Sequence, residues 1–422
     1  MASGRSVSGK ALSEQEMREI VREGIPPGLV QGRRLLVLTP DATRTCPLPL
    51  MARILAEEIG TRASRLDFMV ALGTHTPLNE DGMDALFGTN RADREKVFRG
   101  ARFLNHRWDL PGELRNIGAI SAPEVERLTG GLFSERVDIT INRAIFEYDR
   151  ILILGPVFPH EVVGFSGGNK YLFPGISGGD FLHFFHWLSA VITSPKVIGF
   201  KRTPVRDLVD RAAAMVSVPR WCLAMVVDPS GGLAGLYAGA PEDAWAKAAD
   251  HSANVHVVYK EKPFHTVVGV APAMYDELWT AGKVMYKLEP VVADRGTLYI
   301  YAPHLREISR TWGGQIERIG YHVRDWFLAH GETFRDVPRG VIAHSTQVRG
   351  IGTYEGGVER PRIDVVLATG IPEETCRRIG LGYRDPRIMS LEEYRGRERE
   401  GILLVERAGE VLHRLSCARG DA

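Results

Sequence analysis

The chain has 422 residues, of which 44% are hydrophobic, and a formal net charge of +1. This length suits about two to three domains with substantial cores, and the balanced charge offers no bulk attraction to nucleic acid or acidic membranes. No window approaches the roughly 18 uncharged apolar residues of a membrane span, and the opening MASGRSVSGKALSEQEMREIV has no apolar secretory core, so a cytoplasmic protein without nucleic-acid or membrane partners is expected.

In chain order, Ser13 and Glu16 form a capping-box pattern for a first helix reaching about Val21. RRLLVLTP (33–40) is a short apolar run ending in proline and predicts a buried strand. PLPLMARILAEEIG (47–60) predicts a helix, with proline in its first turn and glycine past its end. RLDFMVALGTH (65–75) predicts a second strand, and EDGMDALFG (80–88) a short helix. VDITINRAIFEYDRILILGPV (137–157) holds two more strand-like runs. TVVGVAPA (266–273), GTLYIYAP (296–303) and RIDVVLATG (362–370) repeat the pattern. Apolar runs alternating with helical patterns predict an α/β fold of two domains with mostly parallel sheets, and an active site in the cleft between them. The break falls in SANVHVVYKEKPFHTVV (252–268). The expected division is 1–259 for a catalytic, cofactor-binding domain and 260–397 for a second α/β domain, with a return of 398–422 to the first left open.

In parallel sheets ligands bind beyond the carboxyl ends of the strands. Asp41 and Arg44 (DATR) follow the first strand, His75 (LGTHTPL) the second, and His160 the run ILILGPVFP. Arginine suits a carboxylate held through two hydrogen bonds, although a surface Asp–Arg pair has the same spelling. Histidine is the usual acid or base near neutral pH. The densest segment is HEVVGFSGGNKYLFPGISGGDFLHFFHW (160–187). Its GFSGGNK departs from a phosphate-binding P-loop at Asn169 and Tyr171, so a nucleotide triphosphatase is not expected. Its glycines still let backbone amides approach a phosphate, and Lys170 can pair with or bond to a ligand. His183 and His186 share a face if the segment is helical, either as metal ligands or as packed aromatic neighbours, with packing favoured for His183. His75, His160 and His186 could serve a zinc-dependent hydrolase or lyase, although no HExxH or CxxC supports zinc. Cys46, Cys222, Cys376 and Cys417 are far apart and read as reduced thiols, with Cys46, near Arg44, the one to follow.

The ordered set DATR, LGTHTPL, HEVVGFSGGNKYLFPG, FFHW and AGK (281–283) resembles the lactate racemase family, which comprises nickel-pincer-nucleotide-dependent racemases and epimerases of 2-hydroxy acids. The resemblance runs from about Arg33 to the C-terminal region. It implies an isomerase that inverts C2 of a 2-hydroxy acid by proton-coupled hydride transfer to the cofactor, pyridinium-3,5-bisthiocarboxylic acid mononucleotide nickel. Lys170 would link to that cofactor, Ser166, Gly167 and Gly168 would receive its phosphate, and His186 would ligate nickel. His75 and His160 would be the two acid/base histidines. Arg44 and Lys283 would hold the substrate, with Asp41 orienting the group. Partners would be the small-molecule acid and the proteins that make the cofactor. Thr280 stands where some members carry glutamine, which points away from lactate and towards a larger polar or sugar acid. A relative that binds nickel or the cofactor without turnover is the other alternative.

Overall fold

The computed structural model describes residues 3–6 and 10–416; Cys417 lies outside them. The chain divides into two compact units. The first comprises Met1–Phe158, Ser166–Leu182 and Arg206–Val255, and the second Pro159–Phe165, His183–Val205 and His256–Ala422.

The first unit is built on a seven-stranded sheet. Its order is Ser3–Ser6, Leu233–Gly239, Arg220–Val227, Arg150–Pro156, Arg34–Thr39, Arg65–Val70, Phe103–Asn105. The last five strands of that order are mutually parallel, and the first two are antiparallel additions at one edge. Arg34–Thr39 is buried at every position after Arg34, as a central parallel strand covered on both faces must be. Leu35, Val37, Phe68, Val70, Leu152 and Leu154 join Met51, Ile54 and Leu55 of the helix Leu48–Glu58 in one core. Each large apolar side chain so buried contributes roughly 1.5–3 kcal/mol. The helix Glu14–Gly24 starts at Ser13 with the reciprocal Ser13–Glu16 cap in place.

The chain leaves Arg34–Thr39 for Arg65–Val70 and Phe103–Asn105 on one side. It then returns at Arg150–Pro156, beside Arg34–Thr39, and continues to Arg220–Val227 on the other side. Connections diverge between those two central strands. This is the switch point at which open α/β sheets form a crevice outside the carboxyl ends of their strands.

The second unit has a five-stranded, wholly parallel sheet in the order Gly382–Arg384, Asp364–Thr369, Val292–Ala302, Phe264–Val270, Ile402–Val405. Its core gathers Val267, Leu298, Ile300, Val365 and Leu367 with Val284, Met285 and Leu288 of the helix Lys283–Leu288. The C-terminal segment supplies Ile402–Val405 to this sheet, and Leu412–Leu415 pairs with Val257–Lys260. The expected α/β class with mostly parallel sheets is what is found. Among the described residues no helix is long and apolar enough to cross a membrane.

Candidate active site

Three loops of the first unit meet at the carboxyl edge of its sheet. After the strand Arg34–Thr39 comes Asp41, with 9% exposure. One carboxylate oxygen, Oδ1, accepts from the Thr43 amide (3.0 Å) and hydroxyl (2.7 Å), a local turn that aspartate favours. The other, Oδ2, lies in close contact with Nδ1 of His75. His75 sits in the loop after Arg65–Val70. Its amide donates to Leu72 O (2.9 Å), and its carbonyl accepts from Trp108 Nε1 (3.1 Å). A carboxylate at Nδ1 places the ring proton there and leaves Nε2 as the proton acceptor. Arg44 is on the same loop as Asp41 and is partly exposed.

The third loop carries Lys170. Its 3-10 turn, Gly168–Tyr171, is entered through Gly167 at φ +85° and Gly168 at φ +59°. A Cβ at 167 would press on Val157, and one at 168 on Trp245, so both conformation and space call for glycine. The Ser166 hydroxyl accepts from Phe158 N (2.9 Å) and donates to Pro156 O (3.1 Å). The Ser166 amide donates to Phe158 O (2.8 Å), and Trp245 Nε1 donates to Ser166 O (2.9 Å). Ser166 is thus committed to bracing the loop. The Gly168 amide reaches the Cys222 thiol, whose ionisation is pushed far up, chiefly by burial. Asn169 is 2% exposed, and its Nδ2 donates to Asp210 (3.0 Å) and Glu242 (2.6 Å). Asp210 is raised by burial against the pull of Arg206, while burial lowers Arg206 to about 10 as it stacks on Trp245 at 4.0 Å. A buried polar set therefore fixes the residue before Lys170. Beyond it, Gly73 N donates to Gly175 O (2.9 Å), joining the lysine loop to the His75 loop.

In the second unit His160, 4% exposed, ends the short strand Pro159–His160, paired with Gly164–Phe165. Its Nδ1 accepts from Val162 N (3.1 Å), which puts the proton of the neutral ring on Nε2. Glu161 Oε2 lies 3.4 Å from the same Nδ1 and stabilises the ring when it is protonated. His186 is partly exposed on the helix Gly179–Ile192, packed edge-on against Phe185 at 5.0 Å. His183 packs edge-on against Trp312 at 6.2 Å. Lys283 is 7% exposed, with Nζ 4.6 Å from the Tyr275 ring centroid. Among the described residues no three His, Cys, Asp or Glu side chains form a group that could hold a metal ion.

The second unit holds further buried polar residues that the sequence did not single out. His344 is held neutral, its pKa lowered to about 3 first by burial and then by His186; it stacks on Trp279 at 4.0 Å. Lys287 is 1% exposed and donates to Pro159 O and to Glu410 O (3.1 Å), which anchors the residue before His160. A lysine four residues after Lys283 in the apolar run KVMYKL was the available signal. Trp279 and His344 share no sequence pattern, since their stacking is a tertiary event.

Comparisons with known proteins bear on the family and the fold. The lactate racemase N-terminal domain family matches residues 17–197. The lactate racemase of Thermoanaerobacterium thermosaccharolyticum is 25% identical over 283 residues, 65% of this chain and 61% of that protein. The lactate racemase of Lactiplantibacillus plantarum is 23% identical over 152 residues, 35% of this chain and 31% of that protein. The chain thus aligns with about three fifths and under one third of the length of these two relatives. A crystal structure of a Thermotoga maritima protein superposes with a TM-score of 0.89 at 31% identity, covering 97% of this chain and 100% of that one. The lactate racemase apoprotein of Thermoanaerobacterium thermosaccharolyticum shares the fold, with a TM-score of 0.73 at 19% identity over 96% of this chain and 93% of that one. On the family-model match, the named relatives and the shared fold, the chain belongs to the lactate racemase family.

Proposed function

We propose that the chain is a racemase or epimerase that inverts C2 of a 2-hydroxy acid with a nickel-pincer nucleotide. The observation that carries this reading is the Asp41–His75 pair, on the same crevice edge as Arg44. An oriented base beside a guanidinium suits an acid that carries both a carboxylate and an ionisable hydroxyl.

The residues fit such a cofactor. Lys170 offers an amine on a braced loop, and Asn169 Oδ1 beside it is buried without a partner. His186 offers a single imidazole, and the neighbouring His344, held neutral, adds no competing cation. Lys170 would link to the cofactor, His186 would ligate its nickel, and Gly167 would offer its amide to the phosphate. When bound, the group supplies a reversible acceptor for the hydrogen at C2.

The chain's own side chains do the rest. Arg44 holds the carboxylate, and Lys283 the hydroxyl or a carboxylate oxygen. His75 exchanges the hydroxyl proton at Nε2, and Asp41 stabilises the imidazolium so formed. His160 exchanges the proton for the opposite enantiomer, with Glu161 stabilising its charged form. Two bases are needed because the hydroxyl points differently in the two enantiomers. Each is worth roughly 10²–10⁴ in rate. The substrate proposed is a larger polar acid such as an aldonic acid. This substrate reading rests on Thr280 standing where some family members carry glutamine; its side chain is 4% exposed and its hydroxyl donates to Glu277 O (3.0 Å).

The test is co-production with the cofactor-making proteins, followed by intact mass, metal analysis and a chiral assay over lactate, malate and aldonic acids. A mass increment, near-stoichiometric nickel and inversion of one acid are expected. Zinc without an increment, or cofactor without turnover of any acid, would overturn the reading.

A further inference from the structure

Tyr171 follows Lys170 and ends the turn Gly168–Tyr171. Its side chain is 9% exposed. The ring lies over Gly155, where a Cβ would overlap the phenol hydroxyl and the ring carbons next to it. Gly155 is near the carboxyl end of Arg150–Pro156, one of the two strands that flank the switch point. Leu38 of the other strand is level with Ile153, so Asp41 leaves its strand close to the level of Gly155. The absence of a side chain at 155 thus admits a phenol to the mouth of the crevice where Asp41 and Arg44 begin their loop.

The electrostatics agree with that placement. Burial holds the phenol well above its ordinary range, with Cys46 and Asp41 adding to the effect and Arg44 opposing it. The group therefore stays protonated at any working pH and acts as a donor. Among the described residues its hydroxyl makes no hydrogen bond. That oxygen is not among the fully buried side-chain atoms left without a partner, so it is open at the crevice mouth, where a ligand can accept from it.

We infer that the Tyr171 hydroxyl is a ligand-facing hydrogen-bond donor that acts with Arg44 on a carboxylate oxygen of the acid substrate. This rests on the reading of the site as one for a 2-hydroxy acid. A carboxylate offers about four lone-pair directions, and a guanidinium fork takes two, which leaves room for a third donor. The lysine loop then has two products: Lys170 for the cofactor and, one residue on, a donor for the substrate.

Tyr171→Phe keeps the ring over Gly155 and removes only the oxygen. The measurement is calorimetric binding of D- and L-lactate and D-gluconate to the co-produced full chain, paired with melting of the ligand-free protein. The expected result is a Kd raised about tenfold for the acid bound best, with an unchanged melting temperature, because the hydroxyl bonds nothing in the ligand-free protein. Arg44→Ala should lose binding altogether. Equal Kd in Tyr171→Phe and the parent overturns the inference while leaving the acid-site reading intact. Weaker binding together with a lower melting temperature also overturns it, by marking the hydroxyl as a structural group. A parent protein that binds none of the acids overturns the acid-site reading, and the inference with it.

Discussion

Asp41 grips His75 through Nδ1, and Thr43 grips Asp41 through its other oxygen. The imidazole therefore has one tautomer available for work, with Nε2 as the acceptor. Asp41→Asn would offer Nδ1 an amide and allow the opposite tautomer. We expect kcat to fall by about 10²–10⁴ with KM changed far less. Steady-state kinetics on cofactor-loaded protein checks this, and a loss below fivefold would remove Asp41 from the orienting role.

Lys170 is the proposed covalent anchor. In Lys170→Ala the intact-mass increment should vanish, and in Lys170→Arg it should vanish as well, since arginine keeps the charge but not the amine. An increment that survives in either variant places the link elsewhere. His186→Ala, by contrast, should keep the increment and lower nickel content in metal analysis.

Lys287, 1% exposed, donates to the carbonyls of Pro159, the residue before His160, and Glu410. Lys287→Met keeps most of the volume but strands both carbonyls. A loss of about 2–4 kcal/mol is expected in denaturant unfolding. Racemisation should fall beyond what stability explains, because the strand that carries His160 loses its anchor. Parent-like stability would show that the carbonyls find other donors.

His106 is buried in the first unit. Its Nε2 donates to Ser177 O (3.0 Å), and its Nδ1 accepts from Asn142 Nδ2 (3.2 Å). Burial lowers its pKa to about 4, below the ordinary value of about 6.5. The folded state thus binds fewer protons than the unfolded state between these values. The contribution is complete above about pH 6.5 and is lost as pH falls towards 4. In His106→Gln the stability lost from pH 7 to pH 5 should shrink by about 1–2 kcal/mol. Urea unfolding at both pH values measures this, and an unchanged difference would refute it.

Gly155 and Gly28 make a matched pair of tests. A Cβ at 155 would collide with Tyr171, whereas one at 28 meets nothing within 4 Å. Gly155→Ala should destabilise by about 1–3 kcal/mol and weaken acid binding. Gly28→Ala, on the short helix Pro27–Val30, should be neutral or slightly stabilising. Thermal melts of the two variants separate these outcomes.

The sequence by itself determined the elements and their class. Buried parallel strands must be continuous apolar runs, so RLLVLT and RILILGP announced themselves; the helix Leu48–Glu58 showed its proline start and glycine stop. The ordered motifs also carried the family, because glycines, a lysine and histidines at such spacings have few other uses. Only the tertiary structure decided how the local pieces were partnered. That Ser166 spends its hydroxyl on Phe158 and Pro156, that Asp41 faces His75 across 34 residues of chain, and that Trp279 meets His344 all depend on sheet order and helix packing. The same holds for Tyr171, which the sequence showed only as a departure from a P-loop. Its place over Gly155 follows from two strands and a turn meeting at one edge, and contacts between residues distant in sequence leave no periodic trace in the chain.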